Sequence, residues 1–133
     1  HLAQPYDAIV EALGMLEAAE AFSAIEPFLK HPTEKIQYST ARALYQLTQD
    51  PLYGDRLIEA LANDKLQLRR SALSDLGAIG YLPACEAIAQ THAENSLKLI
   101  ALKGLLEHQI DRSPFDRLSE GAIRVMALMD ELL

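Results

Sequence analysis

A chain of 133 residues and 14.7 kDa has room for one hydrophobic core and too little for two. Half of it is apolar, chiefly leucine and alanine, with valine only at Val10 and Val125, 6% aromatics and no tryptophan; this disfavours a β-sandwich or barrel and excludes a disordered chain. With 12 basic and 19 acidic residues, the net charge is −7 and the pI near 5.0, which argues against DNA or RNA as the main partner. No apolar run approaches the ~18 residues of a membrane span, and the first residues carry no charged-then-apolar signal pattern. The single cysteine, Cys85, allows no intrachain disulfide and no cysteine-based zinc cluster, as in a reducing cytoplasm. A start at His1 rather than Met suggests a trimmed or processed form of a longer protein.

In chain order the pattern predicts helices over 5–17, 20–30, 33–48, 51–63, 65–79, 83–90, 92–108 and 114–132. Pro27 sits awkwardly in the second and implies a late start or a kink. Asp50 before Pro51 supplies an N-cap followed by a first helical position. Gly80 is placed for a C-terminal stop. Thr91 and Glu94 have capping-box spacing. Ser113, Pro114 and Asp116 mark a last start, and Leu118, Ala122, Val125, Met126 and Met129 follow at helical spacing, as in a helix that caps the end of a stack.

The chain also repeats itself. Ile25, Leu29, Ile36 and Leu44 recur 32 residues later as Leu57, Leu61, Leu68 and Leu76, and the stretch Leu68–Leu76 recurs 29 residues later as Leu97–Leu105. Ala12-Leu13-Gly14 echoes Asp75-Leu76-Gly77. A period near 30 with two short helices per unit predicts an all-α, right-handed α-solenoid in which stacking, not any one helix pair, makes the core. The expected units are 5–30, 33–63, 65–90 and 92–132, about four helix pairs in one domain.

The unit Asn63–Gly80 has an early Asp64, then Leu68-Arg69, then Leu76-Gly77-Ala78-Ile79-Gly80. In this it resembles the short HEAT-like (armadillo-like) repeat of the phycobilisome lyases, a resemblance that runs over roughly residues 8–109. Leu66–Tyr81 and Glu94–His108 resemble more specifically the smaller, F-type subunit of the heterodimeric E/F phycocyanobilin lyase of cyanobacteria. Gln37-Tyr38 departs from the pattern, standing where the later unit has Arg69-Arg70, and the chain is shorter than that subunit is expected to be. The resemblance implies a lyase subunit that, with an E-type partner, attaches phycocyanobilin by a thioether to a cysteine of the apo-phycocyanin α subunit. The bilin would be a substrate rather than a tightly bound cofactor, no metal would take part, and the nucleophilic thiol would belong to the acceptor. Catalysis would rest on orientation with modest acid–base help, in the cyanobacterial cytosol near the phycobilisome. The rival reading is a non-catalytic HEAT-like adaptor that binds phycobiliproteins, for example in phycobilisome turnover; a third is an unrelated scaffold converging on the same consensus.

Individual residues carry these expectations. On the helix over 33–48, Ile36, Thr40, Ala43, Leu44 and Leu47 form the stripe expected to face the core. Tyr38, Arg42 and Tyr45 lie opposite, and the matching positions of later units carry Arg70, Ser74 and Gly77, then Leu99, Leu102 and Leu106. An exposed row of this kind would be a partner-docking surface, unless the helices have neighbours on both sides. Under the lyase reading, two bilin propionates call for Arg or Lys, and Arg69, Arg70 and Lys98 begin two neighbouring helices. The bland alternative for Arg69 is a structural pair with Asp64. His31 and His92, in equivalent turns, are the candidate proton donors, or else solvated loop residues. Tyr53 and Tyr81, near helix ends, would stack on or hydrogen-bond the tetrapyrrole, or fill gaps. Cys85 is expected to be a small buried residue. No Gly-rich phosphate loop, Cys-x-x-Cys spacing or Gly-x-Ser-x-Gly elbow occurs, so nothing supports a self-sufficient hydrolase, kinase or metalloenzyme.

Overall fold

The computed structural model describes residues 5–112 and 119–133, and these contain seven α-helices, two 3₁₀ turns and no strand. Helix α1 is Pro5–Ile25. The expected break after residue 17 is absent, because Glu17-Ala18-Ala19-Glu20-Ala21 contains only strong helix formers. The helix stops two residues before Pro27, and Glu26–Lys30 continues as a 3₁₀ turn with the proline in its first turn, where a missing N–H is harmless.

Helix α2 is Glu34–Thr48 and α3 is Pro51–Ala60. The latter starts as expected: the Asp50 carboxylate accepts the Leu52 N–H at 2.9 Å. Helix α4, Leu66–Ile79, stops at Gly80, whose φ of 66° lies in the left-handed region. A 3₁₀ turn over Leu82–Ala84 leads into α5, Cys85–Gln90. Helix α6, Asn95–Arg112, begins later than expected. The Thr91–Glu94 capping box does not form, because Thr91 donates to the Leu61 carbonyl at 2.5 Å and Glu94 turns to Arg70. Helix α7 is Glu120–Leu132. Ser119 is extended and its hydroxyl accepts the Ala122 N–H at 3.0 Å, so one helix over 114–132 is ruled out. The expected start at Ser113, Pro114 and Asp116, and Leu118 with it, lies outside the described residues.

Helices α2, α4 and α6 pack side by side in one layer; α3, the 82–90 segment and α7 form the other. Leu44, Leu57, Leu73, Leu76, Ile88, Leu102, Leu105 and Val125 fill the space between the layers and are fully buried, each contributing about 1.5–3 kcal/mol of transfer free energy. This is the all-α solenoid that the repeat implied. Helices α4 and α6 approach unusually closely. A Cβ on Gly77 would lie 2.9 Å from the Ala101 Cα, and one on Gly104 would strike the Gly77 carbonyl. At the other end, the first half of α1 leaves Ile9, Leu13, Met15 and Leu16 exposed.

Candidate functional site

The inter-helix turns are cross-linked along one edge of the stack. Glu34 accepts from the Asn63 amide at 2.6 Å and the Lys65 ammonium at 3.2 Å, and these hydrogen bonds, Asn63's first, hold its carboxyl below the ordinary range. Arg69 spans the next two turns: Nη1 donates to the carbonyls of Asn63 at 2.7 Å and Asp64 at 3.0 Å, and Nε to the carbonyl of His92 at 2.8 Å. The Asp64 contact is therefore to backbone rather than to carboxylate. Arg70 reaches Glu94 with two hydrogen bonds, at 3.1 and 2.5 Å, which depress the Glu94 carboxyl.

Several expected site residues are held by the fold instead of facing a ligand. Arg69 is a strut between turns, which corrects its reading as a propionate ligand. Lys98 is buried, its ammonium donating to the Ala89 carbonyl near the end of α5 at 3.1 Å, so it too is unavailable. Tyr53 and Tyr81 lie in the core. Tyr81 donates to Asp55 at 2.7 Å, and burial, then the Asp55 carboxylate, push its phenol up. Tyr53 packs beside Phe22 with ring centroids 6.5 Å apart. Neither can stack on a tetrapyrrole, because each fills the seam between layers.

The exposed docking row is corrected in the same way. Tyr38 and Leu102 are buried, Arg42 pairs with Asp75 of α4 at 2.7 Å, and Tyr45 stands edge-on to Tyr81 at 5.2 Å. Leu106 packs against the core and Leu99 is half-buried. Helices α2 and α6 have neighbours on more than one side, so their buried arc extends round to these residues. Ile36, expected inside, is at the surface instead.

His31 and His92 occupy separate turns. His31 Nδ1 accepts the Thr33 N–H at 3.0 Å, and its ring stacks on Phe28 at 6.3 Å. The His92 side chain is exposed and borders a cavity of about 300 Å³ with Ile58, Leu61 and Ala87, between α3 and α5. Cys85 is buried, and burial raises its thiol pKa.

What the structure does form is a half-open groove of about 440 Å³ along the α4–α6 seam. Leu73, Gly77, Ala101 and Gly104 make its base; Arg70, Ser74 and Ala78 of α4 face Leu97, Ile100, Lys103 and Glu107 of α6 across it. Ile100 is 66% exposed there. Lys103 lies 3.8 Å from Glu107, a loose pair in which both side chains are exposed. Of the expected cations only Arg70 borders this groove. Lys103 stands in the middle of α6, not at a helix start where an anion site is expected; its only sequence signal is a lysine three residues after Ile100 on the same side of the helix.

No protein-family model matches the chain. It is 62% identical to phycocyanobilin lyase subunit alpha of Microchaete diplosiphon, over 99% of this chain and 47% of that protein. Against the subunit alpha of Nostoc sp. (strain PCC 7120) the identity is 60%, over 100% of this chain and 49% of the relative. The bilin biosynthesis protein PecE of the same Nostoc strain is 40% identical over 98% of this chain and 51% of its own length. Among solved structures, the complex of CpcE and CpcF of phycocyanin lyase from Nostoc sp. PCC7120 matches with a TM-score of 0.79 and 59% identity, over 100% of this chain and 48% of the matched chain. The chain spans about half the length of the curated relatives it matches. No helix among the described residues is long and apolar enough to cross a membrane. The relatives are alpha, E-type subunits, so the expected likeness to the smaller F-type subunit is corrected: this chain is similar, from end to end, to part of the E-type subunit of the phycocyanobilin lyases.

Proposed function

We propose that this chain acts in phycocyanobilin attachment as the E-type component of a heterodimeric lyase. The partner is then an F-type chain, in place of the E-type one expected from sequence, and the acceptor is the apo-phycocyanin α subunit. One observation carries the reading: 62% identity to a phycocyanobilin lyase alpha subunit, sustained over 99% of the chain. A TM-score of 0.79 against the CpcE–CpcF complex supports the heterodimer.

The chemistry assigned to the chain is orientation. The acceptor thiolate adds to the ring-A ethylidene; a C–S bond forms, the displaced π electrons take up a proton, and nothing is oxidised. The chain's only thiol, Cys85, is buried with its pKa raised, which supports a nucleophile that comes from the acceptor. Holding bilin and acceptor together supplies the effective concentration. Of the two candidate histidines, His31 and His92, the latter is the better placed to exchange a proton, since its side chain is exposed at a cavity edge whereas His31 Nδ1 is already engaged. We assign the working units to 5–30, 33–63, 65–90 and 92–132, and the site of action to the cytoplasm. The test is co-expression with an F-type subunit, the apo-phycocyanin α subunit and a source of phycocyanobilin. Covalently coloured α subunit well above the level given by the F-type chain alone is expected; no gain overturns the reading.

A further inference from the structure

We propose that the α4–α6 groove seats the tetrapyrrole itself, with Arg70 and Lys103 holding its two propionates and Glu107 accepting from its pyrrole N–H groups; the identity of the ligand rests on the lyase reading above. A linear tetrapyrrole is a long, flat, conjugated strip. It presents apolar faces, N–H donors along its middle and two carboxylates on flexible arms. The groove offers the complement of each. Gly77 and Gly104 bring the two helices together and leave a trough where side chains would otherwise stand. Leu97 and the exposed Ile100 give one apolar flank and Ala78 the other. At about 440 Å³ the groove falls within the ordinary range of small-molecule sites.

Charge and size together select this groove over the other cavities: Lys35 borders one of only about 170 Å³, where Asp75 also stands. Arg69 is committed to three carbonyls, Lys98 is buried against a fourth, Arg42 is paired with the mostly buried Asp75, and Arg124 lies on α7 in the second layer, away from the groove. Arg70 and Lys103 instead line the groove, and their acidic partners sit in exposed pairs that contribute little. Exchanging Glu94 for a propionate keeps the two-pronged geometry that a guanidinium prefers. Because the groove is half-open along its length, one edge of a seated strip would stay accessible to an incoming thiol.

The test uses the chain, alone and bound to its F-type partner, titrated with free phycocyanobilin and read by the visible absorption band and, with the apo-phycocyanin α subunit added, by covalent attachment to that acceptor. Ala78→Trp fills the groove from an exposed helix position. The double variant Arg70→Gln/Lys103→Gln removes the cations from exposed positions, and circular dichroism checks that both variants fold. Ala78→Trp should abolish the band shift. The double variant should weaken binding of the free acid at least tenfold while leaving that of the bilin dimethyl ester unchanged. If wild type attaches bilin and both variants bind and attach it equally well, the groove assignment falls and the lyase reading stands. If the wild-type complex attaches nothing, the lyase reading falls, and a band shift lost in the variants still supports the groove. If Ala78→Trp abolishes pairing with the F-type chain while the chain alone binds bilin normally, the groove is a protein seam and the proposal is overturned.

Discussion

The ring of Tyr81 rests on the Cα of Gly54: a methyl group at position 54 would lie 2.6 Å from the ring's Cε1 and Cζ. The ring cannot swing away, because its hydroxyl is tied to Asp55 at 2.7 Å and Tyr45 stands against it. Gly54→Ala therefore sets about 1 kcal/mol of helix propensity against an overpacking cost of about 1–3 kcal/mol. The clash should win, lowering the urea midpoint; an increase would mean that the ring is freer than its contacts imply.

The same phenol sets an alkaline limit on stability. Burial and the Asp55 carboxylate both disfavour the phenolate, so the folded-state pKa lies above the ordinary 10.0. The folded chain holds that proton more tightly than the unfolded chain. The resulting stabilisation is complete below pH 10 and erodes as the pH climbs above it. Tyr81→Phe should flatten the fall of the urea midpoint between pH 9 and 11 (a range of about two units around the ordinary value). It should also cost about 1 kcal/mol near neutrality for the lost hydrogen bond. An unchanged alkaline slope would assign the loss to other groups.

Arg69 joins two turns through three backbone carbonyls, and no other side chain could satisfy them together. Arg69→Gln should cost about 1–3 kcal/mol in chemical denaturation, the range for hydrogen bonds to charged donors. Arg69→Lys should rescue little, since one ammonium cannot reproduce the planar fork that spans Asn63 and His92. Bilin affinity should not change in either variant. A selective loss of bilin binding with intact stability would return Arg69 to the binding site.

The sequence made the strongest local punctuation legible. Asp50-Pro51 and Gly80 act within their own helices, so nothing distant competes with them, and the repeat of leucines gave the solenoid. It misled where a side chain had two possible partners. Thr91 and Glu94 are spaced to cap one another's helix end, yet each is drawn across to the neighbouring repeat, by Leu61 and Arg70. Tyr38, Tyr45 and Leu102 share a helix side that looks external only while the helix is considered alone; stacking buries it. The subunit type was misread for a related reason. Leu66–Tyr81 and Glu94–His108 are rich in stacking residues such as Leu68, Leu76, Gly77, Leu102 and Gly104, and these encode the repeat rather than what distinguishes one stack from another. The groove was half visible, in the glycines at 77 and 104, but their facing each other across two helices is a tertiary fact.

Ile100 and Leu102 are two residues apart on α6 and should separate binding from stability. Leu102 is fully buried between the layers, so Leu102→Ala leaves a cavity and should cost about 2–5 kcal/mol. Ile100 is 66% exposed on the groove flank, so Ile100→Ala should change stability by no more than about 0.5 kcal/mol. If Leu102 were the docking residue that its sequence position suggested, its truncation would weaken association with the F-type chain and leave the denaturation midpoint in place. The buried position predicts the reverse: a large fall in midpoint, with partner affinity per folded molecule unchanged. For Ile100→Ala, the folded chain should persist while the bilin absorption shift diminishes. Urea denaturation of both variants, run beside a bilin titration, distinguishes the two patterns, and equal stability losses at the two positions would contradict the assignment of Ile100 to an open groove.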